Sequence, residues 1–157
     1  MTDHVAWLIE LTVRAGNVEA LRALTEEMVA SAALEPGVVV YERFISHDHT
    51  VVHLYERYVD SDAAIAHLRN FATTYAEPFL ALVDRTRVTV YGTPTAQLKA
   101  ELDRLGATYL TPFGGYMAPV ASRPVDDPGS FSRSSASRLS RASSKSGRRD
   151  GCQPASP

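Results

Sequence analysis

A strand and the helix that follows it carry the residues best suited to acid–base chemistry. Glu56 and Tyr58 lie on one face of a predicted strand, and His67 lies at the inner edge of a predicted helix. A carboxylate, a phenol and an imidazole under apolar cover can accept, donate and relay protons near neutral pH. We therefore take Glu56, Tyr58 and His67 as the candidate catalytic group.

Each of these residues also has an ordinary structural interpretation. A histidine at the edge of an apolar helix face is commonly a hydrogen-bonded core or rim residue. A strand carboxylate such as Glu56 is commonly paired with a neighbouring arginine. The sequence pattern leaves both interpretations open.

Two periodicities predict the strand and the helix. Apolar and charged residues alternate from residue 50 to 58, which is typical of a strand with unlike faces. One face consists of Val52, Leu54, Glu56 and Tyr58; the other consists of Val51, His53, Tyr55 and Arg57. Asp60-Ser61-Asp62 then offers side-chain oxygens to free backbone amides, so a helix begins near Ser61. Its inward stripe is Ala64, Leu68, Phe71 and Tyr75.

The rest of the first 92 residues completes a six-element pattern. A strand over residues 5–13 is followed by a helix that is capped by Asn17 and ended by Glu35-Pro36-Gly37. The next strand, over 38–46, forms a hairpin with the strand at 50–58. A short turn over 79–83 and a strand over 85–92 follow the second helix. The order strand, helix, strand, strand, helix, strand predicts an α+β, ferredoxin-like βαββαβ fold. Both helices cover one face of an antiparallel four-stranded sheet.

The second face of this sheet is predicted to be too apolar for water. Val, Ile, Tyr and Trp occupy both sides of most strands, so a partner must cover the face that the helices leave open. A second copy of the chain meeting it sheet to sheet is the simplest partner. We therefore expect a homodimer, with His53 at the interface.

The chain divides into a domain over residues 1–120 and a tail over residues 121–157. Within the domain, a core over 5–92 is followed by a C-terminal helix and docking segment over 93–120. Thr93-Pro94 is predicted to start that helix with Pro at its first position, and Gly106 to close it. The apolar segment 107–117 should dock on the domain or on the partner. The Ser- and Arg-rich tail is predicted to be disordered, as a solvated extension or a non-native C-terminus.

Composition argues against several classes of function. Residues 1–120 hold nine Lys and Arg against 15 Asp and Glu, a net charge of -6, which gives no reason to expect nucleic acid. The single cysteine, Cys152, can form no internal disulfide, and no segment approaches a membrane span or a secretion signal. His47-Asp48-His49 lacks the preformed cage of a metal site. We expect a cytoplasmic protein without a metal and without membrane contact.

Four pieces of the chain together resemble the antibiotic biosynthesis monooxygenase family of dimeric α/β barrels, including its quinol monooxygenase branch. They are the alternating first strand, Glu35-Pro36-Gly37 before the second strand, Leu54-Tyr55-Glu56-Arg57-Tyr58 with residues 63–67 after it, and Val88-Thr89-Val90-Tyr91. The resemblance covers roughly residues 5–92, with an extension to Gly114-Gly115-Tyr116. Tyr58 stands where many members carry Trp.

This resemblance implies oxygenation of small electron-rich phenols or quinols by dioxygen, with no metal, flavin or other cofactor. It places the pocket between the sheet and the helices, with His67 facing it. His67 would then remove or relay the phenolic proton, and Glu56 would orient His67. Tyr58, with Trp7 or Tyr75, would hold the ring plane. The predicted pocket residues are Trp7, Leu54, Phe71 and Tyr75. Isomerases, haem-degrading enzymes and non-catalytic binding proteins share the fold and remain alternatives.

Overall fold

The computed structural model describes residues 3–118 of the 157-residue chain. The elements are β1 (Val5–Val13), α1 (Val18–Ala32), β2 (Val38–Ile45), β3 (Val51–Tyr58), α2 (Ser61–Thr74), α3 (Ala76–Leu80), β4 (Val83–Tyr91), α4 (Ala96–Asp103) and β5 (Thr108–Leu110). The predicted α+β, ferredoxin-like order is confirmed over β1 to β4. The predicted tail over residues 121–157 lies outside the described residues.

Within residues 3–118, the sheet has five strands in the order β2-β3-β1-β4-β5. The pairs among β1 to β4 are antiparallel, as predicted, but β5 pairs with β4 in parallel and makes the sheet mixed. The sequence analysis missed β5 because three residues are too few to show alternation. Part of the segment 107–117, which was predicted to dock on the domain or on the partner, therefore pairs with β4 as an edge strand, through backbone hydrogen bonds.

Several predicted boundaries shift by a few residues. Helix α4 begins after Thr95, whose side chain accepts a hydrogen bond from the Leu98 amide, so Pro94 precedes the cap and the predicted start was wrong. Asn17 occupies the N-cap of α1 but makes no side-chain cap hydrogen bond, and α1 ends at Ala32. The predicted short turn near Phe79 is the helix α3, and β4 begins at Val83.

The four helices of the described residues contribute to two hydrophobic clusters on one face of the sheet. The first contains Val5, Trp7, Tyr58, Ala64, Ile65, Val88, Val90, Leu98 and Leu102. The second contains Leu11, Val13, Leu21, Met28, Val52, Leu54, Phe79 and Val83. On β3, Leu54 belongs to the second cluster and Tyr58 to the first, so the intervening Glu56 lies where the two meet.

The opposite face of the sheet, here called the open face, carries alternate side chains of the same strands. Phe44 is 54% exposed there and Val51 38%. No helix among the described residues 3–118 is both long and apolar enough to cross a membrane.

Gly37 allows the α1–β2 connection to lie directly against α2. Its φ angle is +85°, and a Cβ atom at this position would stand 2.6 Å from the Cβ of Ala63. The Gly37 carbonyl also accepts a hydrogen bond from the Val59 amide at 2.9 Å. This close approach brings Glu35, two residues earlier, beside α2.

Replacing Gly37 by alanine should therefore destabilise the fold through two effects. A non-glycine residue in the left-handed region costs about 1–2 kcal/mol, and overpacking against Ala63 adds about 1–3 kcal/mol. Gly16 is the matched control, since its φ is +82° but nothing lies within 4 Å of its Cβ position. Urea unfolding should show a clearly larger loss for Gly37→Ala than for Gly16→Ala. Equal losses would contradict the close approach to α2.

Candidate functional site

The carboxylate of Glu56 is the centre of a buried polar cluster. Its Oε2 accepts hydrogen bonds from Trp7 Nε1 at 2.6 Å and from the Tyr58 hydroxyl at 2.7 Å. Its Oε1 accepts from Arg43 Nη2 at 2.6 Å. The arginine pairing that the sequence left open for Glu56 is therefore present. Glu56 is 4% exposed, and these donors replace the water that its charge loses on burial.

Strand register brings these partners to Glu56. Trp7 lies opposite Glu56 on β1, and Tyr41 lies opposite it on β2. A bulge between Val38 and Val40 shifts the β2 register by one residue, and the shift places Tyr41 and Arg43 on the helix-covered face. Sequence analysis missed both residues because a bulge leaves no clear signature in the alternation of β2.

His67 lies between two carboxylates. Its Nδ1 is 2.8 Å from Glu35 Oε2, and its Nε2 is 3.6 Å from Glu56 Oε2. The imidazole also contacts two aromatic rings, with centroid distances of 5.3 Å to Tyr58 and 5.4 Å to Tyr41. Helix α2 holds His67 in place from an N-cap at Asp60, whose side chain accepts from the Ala63 amide at 2.8 Å.

Glu35 and Asn70 complete the cluster, and sequence analysis assigned neither of them a role. Asn70 Nδ2 donates to Glu35 Oε1 at 2.7 Å and to Ser31 Oγ at 3.2 Å. Asn70 follows His67 by three residues, so helical periodicity could have found it. Glu35 was considered only as part of Glu35-Pro36-Gly37, the helix stop that also contributed to the family resemblance. The polar cluster comprises Trp7, Glu35, Tyr41, Arg43, Glu56, Tyr58, His67 and Asn70.

Burial keeps both phenols of the cluster protonated. It raises the pKa of Tyr58 well above its ordinary value, and the neighbouring Glu56 carboxylate adds to the rise. Burial also raises the pKa of Tyr41, although the Arg43 guanidinium opposes part of that shift. The Arg43 guanidinium carbon lies 3.6 Å from the centroid of the Tyr41 ring. Tyr41 and Tyr58 are therefore neutral hydrogen-bond donors over the physiological pH range.

The structure brings together four of the seven predicted site residues: Trp7, Glu56, Tyr58 and His67. The other three belong to the apolar packing beside the cluster. Leu54 is buried in the second hydrophobic cluster, and Phe71 packs edge-on against Phe79 with ring centroids 5.6 Å apart. The Tyr75 hydroxyl donates to the Glu27 carbonyl at 3.5 Å. Pocket lining by Leu54, Phe71 and Tyr75 stays a prediction.

Two of the partly exposed members of the polar cluster, Tyr41 and Arg43, lie on β2, which is an edge strand of the sheet. Tyr58 and Trp7 are fully buried, whereas Glu35, Tyr41, Arg43 and Asn70 are partly exposed. A cavity of about 1050 Å³ lies elsewhere, beside Arg57, Tyr91 and residues 112–117, and no cluster residue lines it. Over residues 3–118, no three His, Cys, Asp or Glu side chains are grouped to hold a metal ion.

Replacing Arg43 by methionine should destabilise the fold strongly. The change leaves the buried Glu56 charge without its cation, and breaking a buried ion pair typically costs about 3–5 kcal/mol. Arg104→Met is the matched control, since Arg104 forms an exposed pair with Glu101 at 2.8 Å and should lose only about 0–1 kcal/mol. Chemical denaturation measures both losses. Adding Glu56→Gln to Arg43→Met should recover part of the stability, and failure to do so would contradict the charge argument.

Comparison with known structures shows the same fold in several proteins. MupZ from Pseudomonas fluorescens aligns with a TM-score of 0.65 and 22% identity, over 79% of this chain and 92% of MupZ. SnoaB, a cofactor-independent oxygenase from Streptomyces nogalater, aligns at 0.52 and 19%, over 60% of this chain and 96% of SnoaB. A conserved protein of unknown function from Bacteroides thetaiotaomicron aligns at 0.51 and 19%, over 57% of this chain and 97% of that protein.

Sequence comparison assigns the family. A comparison with curated protein sequences gives no match. The profile of the family described as antibiotic biosynthesis monooxygenase matches residues 5–84, which is just over half of the 157 residues. The matched range contains the elements β1 to α3 and every member of the polar cluster. The chain belongs to the antibiotic biosynthesis monooxygenase family.

Proposed function

We propose that the chain is a cytoplasmic monooxygenase that oxidises a small electron-rich aromatic, a quinol or polyphenol, with dioxygen and without a prosthetic group. Family membership supports the reaction class. The observation that carries the proposal is the buried acid–base cluster, in which His67 packs against Tyr58 and both lie at the Glu56 carboxylate. SnoaB, which shares the fold, is a cofactor-independent oxygenase.

This reaction requires little from the protein beyond proton transfer and shielding from water. Deprotonation of the substrate hydroxyl makes a phenolate, which can itself donate electrons to dioxygen. The ring carbon and dioxygen then form a hydroperoxide, which loses water to leave a carbonyl group. One oxygen atom enters the product, the other leaves as water, and the substrate is the reductant. A base, an oxyanion donor and a dry site are sufficient.

The polar cluster can supply these functions. His67 accepts or relays the phenolic proton, and Glu56 orients His67 indirectly, because it binds the hydroxyl of the Tyr58 ring that packs against the imidazole. Tyr58 already donates its one proton to Glu56, so the neutral Tyr41 hydroxyl is the donor for developing negative charge. The Trp7 indole, bound to Glu56 and packed against Tyr58 with ring centroids 4.7 Å apart, fixes the orientation of the phenol ring. Substrate would enter at the partly exposed Tyr41 and Arg43, and Leu54, Phe71 and Tyr75 would form the apolar wall beyond them.

Dioxygen consumption by the metal-stripped protein with reduced quinols and polyphenols tests this function. Wild type should consume dioxygen, and His67→Ala should lower kcat by roughly 10²–10⁴-fold, the usual contribution of a general base. His47→Ala is the control, since His47 is exposed in the turn between β2 and β3. Circular dichroism should show that both variants fold. An equal loss in the two variants would contradict a role for His67.

A proton-transferring isomerase is the second candidate, because the polar cluster consists of proton donors and acceptors around two carboxylates, Glu35 and Glu56. Repeating the incubations in deuterated water separates the two functions. Deuterium incorporation at a carbon of the ligand without dioxygen uptake would favour the isomerase. Ligand binding with neither result would favour a non-catalytic binding protein of the same fold.

We also propose that a second copy of the chain covers the open face. The face is half apolar, with the exposed Phe44 and Val51 beside the partly buried Leu8 and Tyr55. A sheet-to-sheet dimer would remove these side chains from water while leaving the β2 edge of each subunit free for substrate.

Introducing charge on the open face should separate the two copies. Light scattering coupled to gel filtration should give the mass of a dimer for wild type and of a monomer for the double variant Phe44→Glu/Val51→Glu. Leu34→Glu is the control, since Leu34 is 85% exposed but lies just beyond α1, away from the open face. A monomeric wild type at micromolar concentration would overturn the proposal.

A further inference from the structure

We infer that Glu35 is a positioning residue that fixes the tautomer of His67 and leaves Nε2 as its proton-accepting atom. The inference deepens the proposed function, on which its catalytic meaning rests. Its structural content is independent of any reaction, because it concerns where one proton resides in the resting protein.

The argument begins with the hydrogen-bonding capacity of Glu35. An ionised carboxylate only accepts hydrogen bonds. Glu35 Oε2 lies 2.8 Å from His67 Nδ1, so the proton of that contact belongs to Nδ1. Glu35 Oε1 accepts from Asn70 Nδ2 at 2.7 Å, and this second bond prevents the carboxylate from rotating away. In the neutral imidazole, the remaining nitrogen, Nε2, then carries the lone pair.

The surroundings of Nε2 suit an atom that gains a proton. Glu56 Oε2 lies 3.6 Å from Nε2 and accepts hydrogen bonds from Trp7 and Tyr58. An ionised carboxylate has no proton to donate to Nε2, so the lone pair of Nε2 stays free. After protonation, the new Nε2–H would face Glu56 Oε2 at 3.6 Å, and the Nδ1–H would remain on Glu35. The other groups that face His67 are the neutral Tyr41 and Tyr58, and the Arg43 cation is bound on the far oxygen of Glu56.

The variant Glu35→Gln makes this inference testable because Gln has only one acceptor oxygen. Asn70 donates to the Oε1 position, so the Gln oxygen should take that place and direct its NH₂ group at His67 Nδ1. Nδ1 must then accept, and the ring proton must move to Nε2. The variant keeps the size of the side chain but should switch the tautomer and block Nε2 as a base.

Nitrogen-15 NMR of the histidine rings measures the tautomer directly. The chain has five histidines, and His67→Ala identifies the His67 signals by their loss. In the neutral form of wild type, the proton should reside on Nδ1; in Glu35→Gln it should reside on Nε2. Glu42→Gln, on the exposed side of β2, is the matched control and should leave the wild-type pattern. A wild-type proton on Nε2, or a Glu35→Gln variant with an unchanged tautomer, would overturn the inference.

Two readouts separate failure of this inference from failure of the proposed function. The tautomer is measured without substrate, so the NMR result tests the structural claim whether or not dioxygen is consumed. If dioxygen is consumed, Glu35→Gln should lower kcat by roughly 10²-fold or more, with little change in KM, since the general base contributes about 10²–10⁴-fold. Unchanged kcat with a switched tautomer would overturn the catalytic role of Nε2. If Glu35→Gln does not fold, the wild-type tautomer alone decides the structural claim.

Discussion

The buried charge of Glu56 is the constraint on which the arrangement of this molecule depends. A carboxylate 4% exposed between two hydrophobic clusters is tolerable only if every lost contact with water is replaced. An indole, a phenol and a guanidinium replace them here, and they come from β1, β3 and β2. Three neighbouring strands must therefore keep one register for the core to be stable. A slip of one residue would remove Trp7 from Glu56 in the β1–β3 pair, or Arg43 from Glu56 in the β2–β3 pair.

Helix packing depends on the same polar layer. His67 connects α2 to the sheet through its contacts with Tyr41 and Tyr58, and connects α2 to the α1–β2 connection through Glu35. That connection reaches α2 because Gly37 adopts a positive φ and has no side chain. The positive φ of Gly37, a residue with no reactive group, thus determines that Glu35 lies beside the His67 imidazole.

The distribution of burial within the polar cluster suits a site that must exclude water and still be reached. The charge-bearing centre is closed, whereas four members remain partly exposed: Tyr41 and Arg43 on β2, Glu35 in the α1–β2 connection and Asn70 on α2. A planar substrate entering there would first meet an aromatic ring and a guanidinium, then the imidazole. Dimerisation through the open face would not obstruct this route, because the two surfaces lie on opposite sides of the sheet.

Sequence periodicity alone determined the ferredoxin-like order and the two faces of β3. It also determined that Glu56, Tyr58 and His67 lie on the covered side, because alternation and helical stripes indicate which side chains are buried. Tertiary structure alone decided their partners. Arg43 and Tyr41 reach Glu56 through a bulge that shifts the β2 register. Glu35, 32 residues before His67 in the chain, meets it only because a glycine allows the connection to approach α2. Contacts between distant segments depend on register and close packing, which local patterns do not encode. The sequence therefore predicted the candidate acid–base residues, and the fold selected the hydrogen bonds that give each of them a role.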